Sequence, residues 1–162
     1  MGRRSDLLAD RIVQGAEQLA AFAETLTDAE WSRPLSGDGT DRRPIGVIVN
    51  HVAFVYPIEV DAARGIGSGK AVPVSWDDIA QLNTKHATDN GKASKAETIR
   101  QLRKNAREAA EAVRGFTDEQ LDTAAPFGLS YGAPVTAQFV IEDHALRHSW
   151  HHLARIKKAL GR

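Results

Sequence analysis

An all-α fold, a four-helix bundle with short extra helices, is what this sequence predicts, on three observations. Apolar residues recur every three or four positions in the long segments of the chain. The stretches TDAE, SKAE and TDEQ carry the spacing of capping boxes, which start helices. No segment sustains the apolar–polar alternation of a half-buried strand. The chain has 162 residues, which suits a single domain over 1–162.

The first helix is expected from about residue 6 to 26, with Leu8, Ile12, Leu19, Phe22, Ala23 and Leu26 on its apolar face. Thr27 then caps a short turn carrying Trp31, stopped near Pro34. SGDGTDRRP is a loop by composition. Pro44 suits the first turn of the second long helix. That helix aligns Ile48, His51, Val52, Val55, Ile58 and Ala62, with Pro57 predicting a kink. GIGSGKAVP is a second loop. Ser75 caps a short polar helix through SWDDIAQLNTKHA. Ser94 opens the third long helix, through Ile99, Leu102, Ala106, Ala109, Ala110 and Val113, and Gly115 ends it. Thr117 caps another short turn, and TAAPFGLSYGAP reads as a long loop with Phe127 and Tyr131 available to line a pocket or cover the core. The last helix starts near Thr136 and ends at Gly161.

Lys+Arg and Asp+Glu are both 21, so the formal net charge is zero. Neither nucleic acid nor an anionic membrane surface is the expected partner, since both select a basic excess. No window reads as a membrane span, and the charged N-terminus does not read as a signal peptide. With no cysteine, any transition-metal site must use His, Asp or Glu. Thiol-free composition and the lack of a signal pattern fit a cytoplasmic protein. RGIGSGKA departs from a phosphate loop, because Arg64 and Ala71 occupy the places of a required Gly and Ser or Thr. DGTDRR lacks the ligand ladder of a calcium loop and is expected to be solvated.

DHALRHSWHHLARI, residues 143–156, holds four of the six histidines. At about 100° per residue, with His144 set at zero, Ile141, Ala145, Ile156 and Leu160 form an apolar stripe from about 60° to 160°. His152, near 80°, lies inside it and His148, near 40°, at its edge. His144 and His151, near 0° and −20°, point further outward and are expected to be solvated. His148 and His152 are four apart, so one metal ion can reach both. A third ligand must come from another helix. His51 lies on an apolar stripe, whereas His86 lies on a polar helix, so His51 is the choice. Burying three uncoordinated imidazoles would desolvate several polar atoms, and a divalent metal removes that difficulty. Glu59, two turns after His51, is either a base in the same cavity or, more ordinarily, a surface carboxylate.

On these residues the chain resembles the DinB-like superfamily. PIGVIVNHVAFV is similar to its second-helix motif, HSWHHLARI to its last-helix motif, and LTDAEWSRP to the segment after its first helix. The resemblance runs from about residue 7 to 160. It implies an up-down-down-up bundle whose second and third helices run parallel across a long crossover. It also implies a metal triad, carried over as His51, His148 and His152, that binds zinc or nickel. It implies a homodimer, and a transferase or isomerase using a small thiol such as bacillithiol, mycothiol or glutathione. Leu153 and Ala154 stand where an Arg-Gly pair is common, which leaves the ligands intact but not the subfamily.

The expectation is therefore a metal-dependent transferase or hydrolase acting on a small molecule, with an external thiol as the partner of a transferase. The alternative is a module that binds a metal or small ligand without turnover. No catalytic acid, base or nucleophile stands out beyond the three histidines.

Overall fold

The computed structural model describes residues 3–36 and 41–162. Four long helical segments form the bundle: α1 (Arg3–Glu24), α3 (Ile45–Gly67), α5 (Lys95–Arg114), and the last pair, α7 (Ala137–Val140) with α8 (Arg147–Leu160). Three shorter helices lie between them: α2 (Asp28–Ser32), α4 (Trp76–Asp89) and α6 (Asp118–Asp122). Thr27, Ser75 and Thr117 each cap a short helix with a reciprocal capping box. At Ser94 the side chain accepts from the Glu97 N–H. Pro44 immediately precedes α3 rather than lying in its first turn.

Cross-helix contacts establish the direction of each helix. Arg103 pairs with Glu17 and Glu24, and Arg114 with Asp6 and Asp10, so α5 runs antiparallel to α1. Asn50 meets Thr98 and Ala53 meets Asn105, so α3 and α5 run parallel. Tyr56 meets Ser149 while Glu59 meets His148, so α3 and α8 are antiparallel. The order is up-down-down-up, as expected, with α4 in the crossover between the two parallel helices. The core joins Ile12 and Leu19 of α1, Ile48 and Val52 of α3, Leu102 of α5 and Ile156 of α8.

Pro57 lies inside α3, and the helix continues through it. Proline has no N–H to give the carbonyl four residues back, which is Ala53. Asn105 Nδ2 of α5 donates to that carbonyl at 2.8 Å instead. A neighbouring helix thus satisfies the group that Pro57 orphans. By length and mean hydropathy, 1.3, α3 is long and apolar enough to cross a membrane, contrary to the sequence reading. Yet 72% of that window is buried inside the bundle, as befits a core helix.

Two expectations are corrected in the long loop and the helix after it. Residues 124–136 contain a small antiparallel hairpin, β1 (Ala124–Pro126) and β2 (Pro134–Thr136), where no strand was expected. Three-residue strands are too short to show a period-two pattern. The last helix is also not regular: Ile141–Leu146 forms a π-helical turn between α7 and α8. Such a turn holds more residues than an α-turn, so each residue advances by less than 100°.

Candidate metal centre

His51 projects from α3, and His148 and His152 from consecutive turns of α8. One nitrogen from each ring can be chosen so that all three lie within 4.8 Å of one another. Ring centroids are 5.1 Å apart for His51 and His148, 5.7 Å for His51 and His152, and 4.8 Å for His148 and His152. Tyr56 and Ser149 fix the approach of the two helices beside this cluster, with a buried oxygen–oxygen hydrogen bond of 2.6 Å. Burial also drives the Tyr56 hydroxyl's pKa above its ordinary value, so it stays protonated.

The donor set fits a divalent transition metal. His51 Nδ1 and His152 Nδ1 are buried with no hydrogen-bond partner among the described residues. Burial first, and then the neighbouring His148, holds the His51 pKa down to about 3. His152 is held well below its ordinary range by burial, then by His148 and His51. Both rings are therefore neutral at physiological pH, the form that ligates metal. His148 differs: its Nδ1 lies 2.5 Å from Glu59 Oε1. A carboxylate can only accept, so Nδ1 of His148 donates and the neutral ring keeps its lone pair on Nε2. A carboxylate behind a histidine in this way is the usual outer support of a metal ligand.

Glu59 is thus neither a surface carboxylate nor free in the cavity. It is buried against His148. Nothing in the pattern around Glu59 distinguishes it from an exposed helix carboxylate. His144 is also corrected. It is half-buried, packs edge-on against Phe127 with centroids 5.5 Å apart, and lines the cavity. The π-helical turn explains the error, because it shifts the phase of residues 141–146 relative to α8. His151 is exposed as expected, at the cavity edge, with its ring 5.1 Å from that of His152.

His86 is buried beside His51, with ring centroids 5.7 Å apart, although it lies outside the three-histidine cluster. Asn50 Nδ2 donates to Thr98 Oγ1 at 3.0 Å, and His86 Nε2 donates to Asn50 Oδ1 at 2.8 Å. Burial, followed by the charge of Arg43, lowers the His86 pKa. The polar composition of α4 concealed this residue, because a single inward face suffices to bury one ring.

A cavity of about 540 Å³ opens beside the histidines, between α3, α4, the last helix and the 72–74 segment. Its apolar walls include Val55, Ile58, Val74, Ile79 and Phe127. Of the two loop aromatics, Phe127 lines it and Tyr131 is almost fully exposed. The segment before α3 also reaches the cavity. Leu35 N–H donates to the Arg43 carbonyl at 2.9 Å and Ile45 N–H to the Arg33 carbonyl at 3.0 Å, which pairs residues 33–35 with 43–45. Asp41 and Arg43 are consequently largely buried, correcting the expectation that DGTDRR is solvated. Residues 38–40 of that stretch lie outside the described residues.

The model of the DinB superfamily matches residues 11–156. Among solved structures, the chain is similar to YfiT from Bacillus subtilis, described as a probable metal-dependent hydrolase with an unusual four-helix bundle topology. The TM-score is 0.77 at 18% identity, over 100% of this chain and 89% of that one, a likeness of fold. No curated protein matches significantly.

Proposed function

The chain belongs to the DinB superfamily, and from that premise we propose that it is a metal-dependent enzyme acting on a small molecule. His51, His148 and His152 would hold one divalent ion, zinc or nickel. The observation that carries this reading is three imidazole nitrogens within 4.8 Å, beside a cavity of about 540 Å³. Three protein ligands leave coordination positions open, as catalytic sites do and closed structural sites do not. When bound, the metal would lower the pKa of a small nucleophile, water or an external thiol, and polarise an electrophile.

The chain's own residues supply arrangement. Glu59 keeps the proton of His148 on Nδ1 and fixes the ring. Burial keeps His51 and His152 neutral. A cavity of about 540 Å³ with apolar walls leaves space for reactants far larger than water. That space favours transfer to a low-molecular-weight thiol, which must come from outside because the chain has no cysteine. Hydrolysis is the second reading, favoured by the description of YfiT.

Protein purified without a histidine tag is expected to retain zinc or nickel, or to bind it tightly on addition. His148→Ala is expected to lose both metal and activity. Turnover of electrophiles that needs a thiol assigns the transferase, and thiol-independent cleavage of esters or amides assigns the hydrolase. Saturable ligand binding with no turnover on either panel points to a binding module instead. A wild-type protein that neither holds nor binds metal overturns the reading.

A further inference from the structure

One carboxylate faces two guanidiniums at the edge of the cavity. Arg43 donates through Nε and Nη2 to the two oxygens of Asp41, at 3.0 and 2.9 Å. Arg155 Nη1 lies 3.4 Å from Asp41 Oδ2. Burial alone would raise the Asp41 pKa, but the hydrogen bonds from Arg43 and the charges of both arginines bring it to about 2. Asp41 is therefore fully ionised and still supplies only one negative charge against two positive ones. Around the cavity Asp143 pairs with Arg147 and Asp61 with Arg64, while the Glu59 carboxylate accepts a hydrogen bond from the His148 ring, so the excess is local to Asp41, Arg43 and Arg155.

The surplus has a direction. Arg43 Nη1 is buried and has no hydrogen-bond partner among the described residues. Arg43 lines the same cavity as the three histidines, and its charge is felt at His51 and His86. A buried guanidinium N–H with no acceptor is unfavourable, and an incoming anion relieves it. One unpartnered guanidinium donor matches one carboxylate, and the apolar residues of the cavity wall match an uncharged body.

We propose that Arg43 anchors the carboxylate of the substrate, so that this site takes small carboxylic acids with an apolar body. The assignment deepens the proposed function, since it concerns the same cavity. It requires only that the cavity binds a ligand, not that the ligand is turned over. With Nε and Nη2 committed to Asp41, Nη1 is the donor left without a partner among the described residues. Arg155 raises the positive potential without offering that donor.

The test is calorimetric binding of 3-phenylpropionate and of its neutral isostere 3-phenylpropanamide. Both are titrated into zinc-loaded and chelator-stripped protein at mildly alkaline pH, with metal content measured on the same samples. The acid is expected to bind about tenfold or more tighter than the amide in both forms, the scale of one charge-assisted hydrogen bond. Arg43→Gln should abolish that preference in the stripped protein, and Arg43→Lys should keep part of it. Equal binding of acid and amide, no saturable binding of the acid at millimolar concentration, or a preference that survives Arg43→Gln in stripped protein overturns the proposal. Should Arg43→Gln fail to fold, Arg155→Gln serves in its place. It should weaken the acid and leave the amide unchanged, and equal affinity for the acid overturns the proposal. A protein that holds no metal yet shows the Arg43-dependent preference sinks the metal reading and leaves this one standing.

Discussion

His148 Nδ1 and Glu59 Oε1 lie 2.5 Å apart, joining α8 to α3 across 89 positions of sequence. The bond does two things at once. It fixes which nitrogen of His148 carries the proton, and it places a negative charge behind one ring of the three-histidine cluster. Glu59→Gln keeps the shape and removes the charge. It is expected to weaken zinc binding about 10- to 100-fold, the usual effect of losing such a support. Competition with a chromophoric chelator measures this. Wild-type affinity in Glu59→Gln would mean that the carboxylate does not tune the ligand.

The burial of the other two histidines predicts a pH dependence of known sign. His51 has a pKa of about 3 in the fold against an ordinary 6.5, so the unfolded chain binds its proton more readily. Stability of the metal-free protein is then complete above about pH 6.5 and declines as pH falls toward 3. His51 alone accounts for a loss of roughly 4 kcal/mol across that window. His152, shifted in the same direction, adds to it. Thermal denaturation of stripped protein between neutral and acid pH measures the slope. His51→Leu should flatten it, and an unchanged slope in that variant would remove His51 as the cause. Zinc retention should fall over the same range, since protons compete for the ligands.

Pro57 and Asn105 form a pair whose effects should not add. Asn105 Nδ2 donates at 2.8 Å to the Ala53 carbonyl that Pro57 cannot serve. Asn105→Ala is expected to cost about 1–3 kcal/mol, the penalty for leaving a largely desolvated carbonyl without a partner. In a Pro57→Ala background the helix supplies its own N–H, so the same change should cost much less. A double-mutant cycle by chemical denaturation measures the difference. Additive costs would show that Asn105 acts through packing alone.

The reach of the sequence reading has a physical pattern. His148 and His152 could be paired because α8 is a regular helix from Arg147 onward, so four residues equal one turn. His144 escapes a regular helical wheel because Ile141–Leu146 is a π-helical turn, which has no signature in IEDHAL. His51 was legible from its apolar neighbours. Glu59 was not, because its burial depends on a histidine 89 positions away. Asp41 and Arg43 were hidden for a similar reason. Their burial follows from the pairing of Pro34 with Pro44, and charged residues beside a loop look solvated until that long-range pairing is seen. The bundle itself was readable because helix periodicity and caps are local. The hairpin was not, because its strands are shorter than the pattern that reveals strands.

Gly128 controls the apolar wall of the cavity rather than the three histidines. Its N–H donates to the Val72 carbonyl at 2.8 Å, and Val72 N–H donates to the Pro126 carbonyl at 2.9 Å. These bonds lay the 72–74 segment along the hairpin loop. A Cβ on Gly128 would meet the Val74 carbonyl oxygen at 2.0 Å and its carbon at 2.8 Å. Backbone cannot rotate aside as a side chain can, so Gly128→Ala must push the whole segment outward. Val72, Val74 and Phe127, all lining residues, would move with it. The expected cost is about 1–3 kcal/mol, the range for overpacking a closely fitted site. The histidines stand on α3 and α8, so zinc affinity should remain close to wild type while affinity for ligands in the cavity falls. Denaturation and zinc competition on the same variant separate the two effects. Unchanged stability would show that the segment is loosely held. A loss of zinc affinity as large as that of Glu59→Gln would show that this wall, too, positions the ligands.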